Sequence, residues 1–156
     1  MTIVSAICNS FKQEILVEGH NFTNGTDAFK IALYSSDSAT LSKSTTAYAA
    51  PSNPTANPTD TYEVTTGGSS GYSGGGNSLT STTPVLSGDT ACCKFADTSW
   101  GSSASFTARG CLIYNSTNAN KAVCAINFGA DKTVTSGTFT IQFPAQTAGN
   151  AIIQIA

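Results

Sequence analysis

The sequence predicts a mainly β protein: an antiparallel β-sandwich or barrel of about eight strands, with one N-terminal helix packed on it. Three observations carry this. The apolar pattern repeats every four residues only at the N-terminus. Beyond residue 29 the apolar residues fall in short alternating runs. Those runs are separated at short, even spacing by Gly, Asn, Asp, Ser and Pro, the composition of turns rather than of crossover helices.

The N-terminal helix is expected over about residues 2–19. Ile3, Ile7, Phe11 and Ile15 recur at intervals of four, with Cys8 and Leu16 beside them, and Gly19 is placed to end it. "HNFTNGTDA" then reads as a loop around Asn24-Gly25. "FKIALYSS" (29–36) is the first strand. Residues 37–60 form a long surface excursion, because Pro51, Pro54 and Pro58 are incompatible with a helix interior or a central strand. "TYEVTT" (61–66), "SLTSTTPVLSGD" and "TACCKFADTSW" supply further strands and turns. "SFTARGCLIYN" (105–115) and "KAVCAINFG" (121–129) read as two strands around "STNAN". A turn centred between Thr117 and Asn118 would set Cys111 opposite Cys124 and Tyr114 opposite Lys121. "GTFTIQFPA" (137–145) alternates Phe139, Ile141 and Phe143 with Thr138, Thr140 and Gln142, and "NAIIQIA" is the last strand. The whole chain, 1–156, is expected to be a single domain whose β-rich body spans about 29–156.

Composition narrows function. Of 156 residues, 10% are charged, against roughly 25% in an ordinary soluble domain, and the net charge is −2. Six lysines and the single Arg109, spread along the chain, make no basic patch, so nucleic acid is not an expected partner. No stretch approaches the roughly 18 apolar residues of a membrane span, and "MTIVSAICNSFKQEI" lacks the basic n-region of a signal peptide. Five cysteines, an odd number, are read as reduced thiols acting as small buried hydrophobes. There is no C-x-x-C and only one histidine, His20, so neither a metal nor a cofactor is expected.

One motif hints at chemistry. "GGSSGYSGGG" (67–76) matches the nucleophile elbow G-x-S-x-G twice, around Ser69 and Ser73. An α/β-hydrolase needs a histidine after the serine, and none follows. It also needs a helix after the turn, whereas "NSLTSTTPVL" is β-like. The stretch lacks the G-K-[ST] ending of a phosphate loop as well. The match is what a Gly- and Ser-rich segment produces by chance, and no catalytic residue is assigned. The expectation is a backbone approach into a strand, with Tyr72 as its large anchor and glycines that admit a close neighbour. Trp100 is read as a core residue rather than a glycan platform, Arg109 as a tie between loops, and His20 as a partner of the helix end or its loop.

"FKIALYSSDSATLSKSTTAY", "YEVTTGGSSGYSGGGNSLT" and "FADTSW…FTARGCLIYNSTNANKAVCAINFGADKTVTSGTFTIQFP" together resemble a family of small virion proteins encoded in tailed bacteriophage genomes. The shared features are a Phe-Lys-(hydrophobic)-Ala-Leu-Tyr strand, a Gly-Tyr-x-x-Gly-Gly turn and an Ala-Arg-Gly-x-x-Ile-Tyr strand. "APSNPTANPT" looks like an insertion relative to shorter relatives. The resemblance implies a structural protein of the particle, made in the host cytoplasm, with no catalytic residues to carry over. A capsid cement or decoration protein, bridging major capsid subunits as a homo-oligomer with a trimer as the guess, is one role. A tail, connector or fibre-base component, or a host-surface-binding module, is the alternative. The expected subunit contacts are Ile7, Phe11 and Ile15 on the helix stripe, Tyr48, Pro51, Pro54 and Pro58 in the excursion, and Gly71, Tyr72 and Gly74 in the glycine-rich turn.

Overall fold

The computed structural model describes residues 3–35, 40–48, 62–64 and 70–156. Among them are eight strands in two antiparallel sheets and one short helix. The strands are β1 (Ala6–Ile7), β2 (Phe29–Tyr34), β3 (Asn77–Leu79), β4 (Val85–Ser87), β5 (Thr90–Cys93), β6 (Thr98–Asn115), β7 (Lys121–Ile141) and β8 (Ile153–Ile155). The larger sheet runs β1-β7-β6-β2-β3 and the smaller β4-β5-β8. They share one core in a sandwich-like arrangement, as the β-rich pattern predicts. No helix among the described residues is long and apolar enough to cross a membrane.

The helix is much shorter than its apolar stripe suggests. α1 spans Asn9–Glu14, followed by a 3-10 turn at Ile15–Val17. The residues before Cys8 are extended instead. Ala6 and Ile7 pair with Ala125 and Cys124, Val4 N–H donates to Leu41 O (2.8 Å), and the Asn127 amide donates to Ile3 O (2.6 Å). Main-chain groups already engaged by a sheet edge cannot also form helical bonds. The turn ends at Glu18 in the left-handed region (φ 57°), and Gly19 N–H returns to Glu14 O at 2.7 Å. Glycine is needed at 19, because a Cβ would come within 2.8 Å of that same oxygen.

β2 lies between β6 and β3 in the larger sheet and is covered on both faces. Phe29, Ile31, Ala32, Leu33 and Tyr34 are all completely buried. Its Phe29 face stacks on Phe22 (4.5 Å) and packs against Phe95 (5.5 Å), beneath the smaller sheet and α1. Its other face pairs with Tyr114, which stacks on Tyr48 at 4.4 Å.

β6 and β7 form one long ribbon where the sequence suggests several separate strands. β7 runs through "ADKTVTSG" because Gly129 (φ 77°) and Ser136 (φ 45°) absorb the bends. Opposite Arg109, four residues of β7 (128–131) fill the gap between the pairs Ala108↔Lys132 and Gly110↔Asn127. Such bulges bend and twist a ribbon, and the Arg109–Asp131 ion pair (3.5 Å) spans this one. The register also differs from the expected one: Cys111 faces Ile126, Cys124 faces Ile113, and Tyr114 faces Ala122. Two features displace it. The turn occupies five residues, with Ala119 and Asn120 both left-handed, and Asn115 Oδ1 accepts from the N–H groups of Thr117 and Asn118. A bulge between Ile113 and Tyr114 then adds one more residue to β7.

Candidate functional site

The glycine-rich stretch is explained by what lies against it. Tyr72 is buried, and its hydroxyl donates to Glu63 Oε1 (2.8 Å) while accepting from Leu33 N–H (3.0 Å). Gly75 N–H donates to the same carboxylate oxygen at 2.7 Å, and Tyr48 donates to Glu63 Oε2 at 2.9 Å. Tyr114, stacked on Tyr48, donates to Gly75 O at 2.8 Å. A buried carboxylate must be met by donors, and Glu63 has three. At Gly76 (φ 72°) a Cβ would overlap the Ile31 carbonyl, and at Gly71 it would press on the Ala104 backbone. The backbones lying against Gly71 and Gly76 therefore belong to their own chain. Burial first, and the Glu63 charge second, push the phenols of Tyr48, Tyr72 and Tyr114 well above the usual tyrosine range. Ser73 stands exposed in a turn that runs directly into β3, and Ser69 lies outside the described residues.

A second polar knot fastens the N-terminal segment. His20 Nε2 lies 2.8 Å from Glu14 Oε2, and its Nδ1 lies 3.1 Å from the Asn115 amide, which donates to Asp27 Oδ2 at 2.7 Å. Lys121 approaches Glu14 Oε1 at 3.5 Å, and Asn118 donates to Gly19 O. His20 thus joins the helix end to the β6–β7 turn. Trp100 is buried against Tyr72, Phe106 and Phe139. All five cysteines are buried and free. Burial raises Cys8 to about 11 and Cys93 and Cys124 to about 12, and holds Cys111 well above the usual thiol range. Thiols so placed are poor nucleophiles.

The expected contact residues divide into three sets. Phe11, Tyr48 and Tyr72 are committed to the chain's own core. Gly71 and Gly74 are exposed but adjoin that knot, and Pro51, Pro54 and Pro58 lie outside the described residues. Ile7 and Ile15 remain half-buried and line an open groove of about 390 Å³ with Phe11, Leu16, Ile153 and Ile155.

This groove belongs to an apolar surface that sequence reasoning missed. Leu16 is 83% exposed, Val17 71%, Leu86 77% and Ile155 53%. Leu86, Ala91 and Ile155 are cross-strand partners, so they form one row across the smaller sheet. A second depression under the same sheet is lined by Ile15, Phe22, Pro84, Ala91 and Ile153. On the bend of β7 lies a separate groove of about 490 Å³, walled by Ile126, Phe128, Phe139, Ile141, Phe143 and Ile152, with Lys132 at its rim. The alternation at 139–143 was legible, but its inward face opens onto this groove rather than being sealed.

Comparison with protein-family models, with curated proteins and with solved structures finds no match to this chain.

Proposed function

We propose that this chain is a structural protein of a bacteriophage virion, a capsid cement or decoration protein that bridges and stabilises major capsid subunits, and that its role is not catalytic. The observation that carries the reading is the pair of separate apolar openings, one along β7 and one beside β8, on a chain with 10% charged residues. A bridging subunit needs more than one adhesive face. Apolar, weakly charged faces gain from burial and meet little charge repulsion when copies crowd on a lattice. The sequence resemblance to small phage virion proteins supports the same assignment. Bound subunits then stabilise the assembled shell by mass action.

The test is composition of purified particles. Quantitative gel or mass-spectrometric analysis should find the chain at a copy number comparable with the major capsid protein. A low copy number, matching a ring or sleeve, would assign it to the tail or connector instead. Absence from purified virions would reject both. Ile141→Lys on the β7 groove should leave the folded protein intact while greatly reducing its retention on the particle.

A further inference from the structure

We infer that two copies of this chain pair through β8 about a two-fold axis, each contributing Ile153–Ile155 as an antiparallel neighbour of the other. β8 is an edge of the smaller sheet, so one side of its backbone faces away from the strands of that sheet. Edge strands of monomers are guarded by short length, charge, proline or bulges. β8 is three residues long, reads Ile-Gln-Ile and carries no charge, proline or bulge, whereas Pro84 stands immediately before the opposite edge strand, β4.

The groove of about 390 Å³ runs beside β8, between it and Ile7, Phe11, Ile15 and Leu16. A strand added to β8 would place its inward side chains there. Ile153 and Ile155 of a second copy are the right kind of filling, because among the described residues Lys12 is the one charged side chain in the lining and β8 has no charge to oppose it. Antiparallel self-pairing is what a two-fold axis generates. Centred on Gln154, it sets Ile153 opposite Ile155 of the other copy and keeps both inward faces apolar. The row Leu86–Ala91–Ile155 would then continue across the junction. Leu16 and Ile155, 83% and 53% exposed, line the groove at the junction and would be covered by it. With the strand backbones and their surroundings, this is a workable centre for the ~800 Å² that each partner of a stable complex buries.

The pairing is independent of the virion assignment and leaves the β7 groove free for another partner. It also gives a dimer rather than the trimer that the resemblance suggests. The purified chain should sediment as a dimer at tens of micromolar, and Ile155→Lys and Leu16→Lys should shift it to monomer. Gln154→Cys should give a single disulfide-linked dimer on mild oxidation, while the wild-type chain with its buried thiols gives none. Three results would overturn the inference: a monomeric or trimeric wild-type mass, a dimer unaffected by Ile155→Lys, or a folded Gln154→Cys dimer that does not cross-link.

Discussion

At the scale of single residues, Glu63 decides most. It accepts from three donors, and its removal would strand Tyr48, Tyr72 and Gly75 N–H in a buried site. Hydrogen bonds to a charged group contribute about 1.5–3 kcal/mol each, and a stranded donor costs a comparable amount. Glu63→Ala should therefore lose at least about 3 kcal/mol in chemical denaturation. Glu63→Gln should lose less, since it keeps one acceptor oxygen. Nothing in "TYEVTT" marks Glu63 as special, because an alternating strand with one acid ordinarily turns that acid to water. Its role follows from tyrosines at 48, 72 and 114 that only the fold brings together. Tyr72 as the anchor of the glycine stretch was legible, because one large side chain among glycines has nowhere else to find packing. Glycine itself can be tested position by position. Gly76→Ala meets the Ile31 carbonyl and should abolish stable folding, or nearly so. Gly88→Ala, also left-handed (φ 64°) but in open space, should cost about 1–2 kcal/mol. Paired thermal melts of the two variants give the comparison.

At the scale of elements, the N-terminal segment and the β6–β7 ribbon show where periodicity misleads. Residues 3, 7, 11 and 15 fit a helical stripe, yet Ile3 and Ile7 are held in extended chain by Leu41, Asn127 and β7. A four-residue spacing also places residues on one face of a strand, so β-branched residues at 3 and 7 satisfy both patterns. The hairpin was legible as a pair of strands, but its register depended on an Asn115-capped turn and a bulge that alternation does not encode. The titrating groups of the core give these elements a common pH response. Tyr48, Tyr72, Tyr114 and four buried cysteines all have folded values raised above their ordinary ones, near 10 for tyrosine and 9 for cysteine. Above pH 9–10 the unfolded chain gives up protons that the folded chain retains. Stability is therefore fully present below that window and falls as pH rises through it. Urea midpoints should vary little through these groups between pH 7 and 8.5 and drop steeply above pH 10. A midpoint that stays constant to pH 11 would contradict the burial of these groups.

At the scale of the whole molecule, the sheets close a core yet leave apolar openings along β7 and beside β8. The low charge was legible in composition, but the position of the exposed apolar residues was not. Leu86 and Ile155 look like ordinary strand residues, and only the offset between the smaller sheet and the body beneath it leaves their row uncovered. A protein with two such faces suits a lattice, where both are covered together. The most direct measurement is the thermal and osmotic stability of otherwise identical phage particles with and without this chain. The account predicts that particles lacking it release their DNA at lower temperature and under milder osmotic shock, and that adding back the purified chain restores them. Particles that burst at the same point with or without the chain would contradict it.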